Sequence, residues 1–161
     1  PICIPGSMCP EEASIHIPCQ PGYFSVGAQA ECTESPTGTH TPVSGLSNPW
    51  PCSAGEFQDT TASTSCKKCP AGSYQTNESS TACDACPQSM ITKFMGAERL
   101  ADCVCPRRHY LSHSTFCTRC PEIGVKCPGG GSAGASLPDG SVKIEEGYMS
   151  LAEDPLSVYI C

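Results

Sequence analysis

The sequence predicts a small disulfide-rich fold: an elongated array of short cysteine-bridged loops and small β-hairpins, with little regular secondary structure. Three observations predict it. Fifteen of the 161 residues are cysteine, together with 16 prolines and 15 glycines. Leu, Ile, Val and Phe number only 24, too few for an ordinary apolar core, so cross-links must take its place. One short pattern also occurs twice in succession between Cys52 and Cys86.

That stretch reads CSAGEFQDTTASTSCKKCPAGSYQTNESSTACDAC, and each copy runs Cys-x-Ala-Gly-x-aromatic. A closing cysteine follows 14 residues after the opener, Cys66 after Cys52 and Cys83 after Cys69, and the next copy opens after two more residues, a period of 17. A repeat this short is a loop rather than a domain. A series of them forms a row of small units, each touching mainly its neighbours, so the expected shape is a rod.

Residues 1–18 open with the same grammar in miniature, Cys3-Ile-Pro-Gly6 with Met8 and Cys9 close behind, an N-terminal cysteine loop. Residues 19–127 carry the tandem units, opening near 19, 35, 52, 69, 86, 105 and 120. The unit at 35 has Ser35 in place of its opening cysteine and Pro49 in place of its closing one. Both cysteines are missing together, as they should be if opener and closer are bonded to each other, because loss of one alone strands a thiol.

Sequence alone does not normally fix connectivity, but this paired loss favours bridges within each loop. The expected pairs are Cys3–Cys9, Cys19–Cys32, Cys52–Cys66, Cys69–Cys83, Cys86–Cys103, Cys105–Cys117 and Cys120–Cys127. Each loop of this size contributes up to about 3 kcal/mol through restriction of the unfolded chain. Cys161 is the odd cysteine, left for an intermolecular bridge or a partner beyond this sequence.

The fifth residue after each opener is Met8, Phe24, His40, Phe57, Tyr74, Ile91, Tyr110 or Val125, one side chain per unit to pack on a neighbouring bridge. Gly6, Gly22, Gly38, Gly55 and Gly72 recur at the third position, where a turn with positive φ needs glycine. Ser89, Arg108 and Ile123 stand there in the later units, whose turns are expected to differ. Met95 to Asp102, within a loop three residues longer than its neighbours, is expected to make a helical turn or two. Residues 128–141 read as a Gly/Ser-rich linker, and 142–161 as a C-terminal cap or the start of a further module.

Sixteen acidic against nine basic residues give a net charge of −7, with no basic stretch, which argues against a nucleic-acid surface. No apolar window is long enough for a membrane span, and no signal peptide is visible. The chain reads as a processed protein or a piece of a longer one. Cysteine at this density belongs to an oxidising compartment, so the expected location is extracellular or on the cell surface.

Candidate sites have plainer readings beside them. Cys66-x2-Cys69-x13-Cys83-x2-Cys86 has the spacing of a four-cysteine zinc site, and Cys103 and Cys105 with Cys117 and Cys120 offer another. A repeated 17-residue loop generates the same spacing, so disulfides are preferred and no metal or cofactor is expected. His109 and His113 would suit a metal on a helix, but a closed loop splays them. Glu11-Glu12 and Glu145-Glu146 lack any patterned nucleophile, and no enzyme is expected. Asn77-Glu78-Ser79 is an N-glycosylation sequon on an expected exposed loop, and the Ser/Thr/Pro-rich stretch 33–51 is open to O-glycans.

At these residues a resemblance enters. CPAGSYQTNESSTACDAC, with Cys-Pro-x-Gly-x-Tyr followed by Cys-x2-Cys, resembles the tandem cysteine-rich repeats called ephrin-receptor-like or tumour-necrosis-factor-receptor-like. The likeness extends over 1–127, and the tail through Gly147-Tyr148 is similar to the segment that follows such repeats in large extracellular proteins of protists and algae. The resemblance implies non-enzymatic work in rods, stalks, adhesive coats or receptor ectodomains. The expected function is therefore an extracellular scaffold segment or fibre protomer, whose partners are other copies of itself or neighbouring extracellular proteins. The alternatives are a ligand-binding or adhesive receptor ectodomain and, more remotely, an intracellular zinc module.

Overall fold

Each loop turns back on itself directly after its opening residue. The third-position glycines hold φ of +83 at Gly6, +90 at Gly22, +79 at Gly38, +78 at Gly55 and +83 at Gly72, a region closed to most side chains. Ser89 and Arg108 adopt φ of +62 and +63 at the same place, so these two later turns keep the geometry of the others despite lacking glycine. The penalty for an L-residue there is about 1–2 kcal/mol, which the surrounding bridges and hydrogen bonds can absorb. Ile123 lies outside the described residues.

The computed structural model describes residues 3–10, 15–87, 89–112, 116–119, 125–126, 143–144, 148–151 and 154–160. Its strands form nine two-stranded sheets. Ser7–Met8 pairs with Ile17–Pro18, Tyr23–Phe24 with Thr33–Glu34, Thr39–His40 with Trp50–Pro51, and Glu56–Phe57 with Lys67–Lys68, all antiparallel. Ser73–Tyr74 and Asp84–Ala85 form the next sheet, and Ile91–Thr92 pairs antiparallel with Cys103–Val104. In the repeating part, then, the first strand carries the fifth-position residue and the second is the pair that leads into the next loop. Longer hairpins follow: His109–Ser112 with Phe116–Arg119, and Tyr148–Leu151 with Asp154–Ile160. Val125–Lys126 pairs with Lys143–Ile144.

Six disulfides close the loops: Cys3–Cys9, Cys19–Cys32, Cys52–Cys66, Cys69–Cys83, Cys86–Cys103 and Cys105–Cys117. Cys120, Cys127 and Cys161 lie outside the described residues. The fold is thus a small disulfide-rich one of short hairpins, and its only described helical element is a 3-10 turn at Leu100–Asp102. The helical expectation for Met95–Asp102 shrinks to those three residues, because Asp102 Oδ2 accepts from the Glu98 and Arg99 N–H groups and tightens the chain into a turn.

Contacts divide the chain into two compact units, Pro1–Pro70 with Gln75–Asp84, and Ala71–Tyr74 with Ala85–Cys161. In the first, successive loops are joined through the main chain. Between the Ser35 and Cys52 loops, for example, Cys52 N–H donates to Gly38 O, Gly38 N–H to Gln58 O, Thr41 N–H to Ser63 O, and Ala62 N–H to Ser35 O, all at 2.8–2.9 Å. The same four bonds join the Cys19 loop to the Ser35 loop, at 2.8–3.2 Å: Ser35 to Gly22, Gly22 to Thr41, Ser25 to Leu46, and Gly45 to Cys19. They recur between the Cys52 and Cys69 loops through Cys69, Gly55, Gln58 and Ser79 as donors. At about 1 kcal/mol net per bond, each junction contributes on the order of 4 kcal/mol.

A further contact reaches the loop after next. A Cβ placed on Gly6, Gly22 or Gly38 would lie 2.1, 2.5 or 2.1 Å from the carbonyl oxygens of Gly45, Ala62 and Ser79 respectively. Glycine at the third position is therefore needed twice, for the turn and for this close approach. The facing residues, Gly45, Ala62 and Ser79, have positive φ themselves, +77, +53 and +56.

Burial follows the junctions rather than the aromatic residues. Cys19, Cys52 and Cys69 are almost completely buried, and so are the polar Ser25, Thr41, Gln58 and Gln75 at the sixth position. Phe24, His40, Phe57 and Tyr74 are only half-buried, since the neighbouring sixth residue takes the interior place: its C=O accepts from the preceding loop and, in Ser25, Thr41 and Gln58, its N–H donates to the next one. Gln58 Nε2 donates to Ser65 O at 2.7 Å while its Oε1 accepts from Thr60 N–H and Oγ1. Gln75 repeats this, donating to Ala82 O and accepting from Asn77 N–H.

The second unit has a small core of its own. Met90, Cys103 and Cys105 are buried, with Tyr74, Cys86 and Cys117 packed against them. Cys86 N–H donates to Gly72 O at 2.8 Å, and the buried Thr92 offers Oγ1 to Gly72 N–H at 3.1 Å.

Candidate functional site

The Ser35 loop shows how a unit stands without its bridge. Ser35 is fully buried; its Oγ donates to Ser63 O at 3.3 Å and accepts from Ser63 N–H at 3.0 Å. A hydroxyl thus ties the loop to its neighbour where a cystine would have tied it to itself. Across the hairpin His40 lies opposite Trp50, with the rings edge to face at 5.9 Å and 87°. An aromatic pair of this kind contributes about 0.5–1.5 kcal/mol beyond its burial.

Two histidines sit against bridges. His16 Nδ1 is 3.2 Å from Cys9 Sγ, and His40 Nδ1 is 3.2 Å from Cys66 Sγ. With Cys3 and Cys52 these are the two groupings of metal-type donors among the described residues. Both contain a cystine, and an oxidised sulfur offers no thiolate to a cation. The zinc-like spacing dissolves in the same way, with Cys66 joined to Cys52, Cys69 to Cys83 and Cys86 to Cys103. His109 turns its Nδ1 to the Arg107 carbonyl at 3.1 Å. His113, Glu11, Glu12, Glu145 and Glu146 lie outside the described residues.

Asn77 is exposed at the outer turn of the Cys69 loop. Its N–H is held by Gln75 Oε1, and its carbonyl accepts from Ser80 Oγ at 2.9 Å. The sequon's Ser79 has φ +56 and donates its N–H to Cys52 O, so its backbone belongs to a junction while the Asn77 side chain faces outward. On the next face Lys67 Nζ lies 2.5 Å from Asp59 Oδ1 and 5.9 Å from the Phe57 ring centroid. The Lys67 ammonium, helped by the backbone N–H of Asp59, holds that carboxyl below its usual range.

The longer Cys86 loop carries the second unit's open surface. Phe94 and Met95 are 80% and 62% exposed, above a shallow hollow of about 510 Å³ lined also by Lys93, Glu98, Arg99 and Asp102. Arg99 reaches Asp102 at 4.0 Å. Neither the buried polar residues at the sixth position nor the exposed Phe94-Met95 tip is anticipated by the sequence. The only signal for the tip is the three extra residues of that loop.

Residues 55–103 match the family model described as tyrosine-protein kinase ephrin type A/B receptor-like. This stretch begins at Gly55 of the Cys52 loop and ends at Cys103, which closes the Cys86 loop. No curated protein matches the sequence. Together with the six disulfides among the described residues, this match makes residues 55–103 a cysteine-rich segment similar to the ephrin-receptor-like ones. Among the described residues no helix is long and apolar enough to cross a membrane.

Proposed function

We propose that this chain is an extracellular structural protein, a rod-like disulfide-stabilised scaffold segment or the protomer of a surface or secreted fibre, working without catalysis. The observation that carries this reading is the junction between loops. Its four bonds are main chain to main chain and recur at the successive junctions from the Cys19 loop to the Cys69 loop, so length can grow in series without a common apolar core. Bridges within each loop make the units resistant to local opening. Sugars on Asn77 and in the 33–51 stretch add a protective outer layer, and the partners are other copies or neighbouring extracellular proteins. The surface of a net-acidic chain is a poor match for nucleic acid.

The test is native mass spectrometry, sedimentation and electron microscopy of the secreted, non-reduced, glycosylated chain. Extended particles that associate with themselves support the scaffold. A monodisperse monomer that binds a different protein saturably overturns it in favour of a second reading, a ligand-binding or adhesive receptor ectodomain. That reading is favoured by the match of residues 55–103 to a family described as receptor-like.

A further inference from the structure

Charge is divided unevenly along this chain. Residues 1–66 contain six carboxylates and no lysine or arginine at all. Residues 85–126 reverse the balance, with six bases against three acids. Arg107 and Arg108 stand exposed at the turn leading into His109–Ser112, where His109 lies directly opposite Arg119 across the hairpin. Neither Arg107 nor Arg108 takes part in the ion pairs Lys67–Asp59 and Arg99–Asp102 found among the described residues.

Arg108 occupies the third position of its loop at φ +63, where five other loops have glycine. A long cationic side chain is thus held at a backbone position that disfavours it, an arrangement that strained sites tolerate when the side chain has work to do. On the acidic side Glu31 and Glu34 are both exposed, three residues apart around Cys32. Glu34 Oε2 accepts from Thr61 Oγ1 at 2.7 Å, which fixes its orientation, and Glu31 has no basic partner.

We propose that Arg107 and Arg108 dock the acidic face of a second copy of this chain around its Glu31 and Glu34. The proposal rests on the self-associating scaffold reading and names the surfaces that would meet. A contact between two different patches does not close on itself as a two-fold one does, so it can continue from copy to copy. A second copy is the occupant the sequence itself supplies, because its Lys/Arg-free region offers Glu31 and Glu34 as the complementary charge, a local attraction that acts against the long-range repulsion of two chains of net charge −7. Exposed pairs of this kind are screened within about 8 Å at physiological salt, so the contact is salt-sensitive.

The experiment is sedimentation of the full secreted chain at micromolar concentration in low and high salt. Expected is self-association that weakens about tenfold or more between 50 and 300 mM NaCl, as for charge-steered contacts. R107E/R108E and E31K/E34K should each stay monomeric, and an equimolar mixture of the two should associate again. Arg108→Gly, which gives the turn the residue its neighbours use, should keep the fold and still weaken association. Wild type and charge-reversed chains that assemble equally well would overturn this contact while leaving the scaffold reading intact. A wild-type chain that stays monomeric at low salt would sink both. A monomer that instead retains a sulfated polysaccharide through Arg107 and Arg108 would assign the surface to a polyanion and overturn the proposal.

Discussion

Replacing Gly38 with alanine tests the packing between alternate loops. Two costs add. The first is the positive φ of +79, about 1–2 kcal/mol for an L-residue. The second is steric: the new Cβ would lie 2.1 Å from Ser79 O, where ordinary contact begins near 3.4 Å, so the two backbones must part by 3.4 − 2.1 = 1.3 Å. Ser79 N–H bonds to Cys52 O at 2.9 Å and Gly38 N–H to Gln58 O at 2.8 Å, and a displacement of that size takes either bond beyond hydrogen-bonding range. Losing both adds about 2 kcal/mol, for a total of about 3–4 kcal/mol. Gly72→Ala is the control, because Gly72 has φ +83 but nothing within 4 Å of the added Cβ; it should lose only the first cost. Calorimetry on the oxidised chain should separate the two by about 4–8 °C in Tm. Hydrogen exchange of the amides at Ser79 and at position 38 should accelerate in Gly38→Ala, while Gly72→Ala leaves both protected. Equal losses in the two variants would refute the argument that alternate loops are in supporting contact.

Four further outcomes follow from the same geometry. Ser35→Cys with Pro49→Cys should form a seventh described bridge, worth up to about 3 kcal/mol in loop entropy less about 2 kcal/mol for the two lost Ser35 hydroxyl bonds, and two titratable thiols in the purified variant would contradict this. Gln58→Ala should cost about 2–4 kcal/mol by denaturant unfolding, since it strips partners from Ser65 O and Thr60 N–H. By contrast Thr41→Val, which removes a buried hydroxyl that has no partner, should be neutral or stabilising. Asp59 has a lowered folded pKa, so its pairing with Lys67 supports the fold fully above the ordinary carboxylate pKa of about 4 and is lost as pH falls through the lowered value. An NMR titration should show the Asp59 carboxyl moving back up in Lys67→Ala.

The hairpin architecture was legible because its signals are of one residue type at fixed places. Cysteine spacing marks where each loop closes, and the third-position glycine marks where it turns. What stayed hidden is carried by the main chain. The sixth position holds Ser25, Thr41, Gln58, Gln75 and Thr92, uncharged polar residues of the kind that ordinarily mark a surface, and all are buried because their backbone groups or polar tips serve a turn or a junction. The tenth position is hidden for a similar reason: Gly45, Ala62, Ser79 and Gly96 all have positive φ, yet only two are glycine. Their conformation is imposed by the preceding loop, whose opener carbonyl accepts from the N–H of Gly45, Ala62 and Ser79. Ser89 and Arg108 misled in the opposite sense, since a turn that glycine favours is still formed without it. The exposed Phe94-Met95 tip had no pattern to betray it, because nothing in a loop of ordinary composition says which apolar residue stays outside.

The Ser35 loop makes clear what the bridges are for. If cystines alone held the chain, a loop without one would open, and its neighbours on both sides would lose their junctions. Instead Ser35 keeps its N–H on Gly22 O and its C=O on Ala62 N–H, the same bonds that Cys52 makes through Gly38 and Ser79. Its hydroxyl adds two contacts to Ser63, and His40 stacks edge-on against Trp50 at the hairpin. The junction therefore forms whether or not the loop is covalently closed. Bridges act mainly on the unfolded chain, by limiting how far each loop can stray, while register between loops is set by main-chain bonds that need no cystine. Such a division of labour lets outward-facing residues vary from loop to loop without disturbing the stack, and it is in those residues, Asn77, Phe94 and Arg108 among them, that recognition has room to differ.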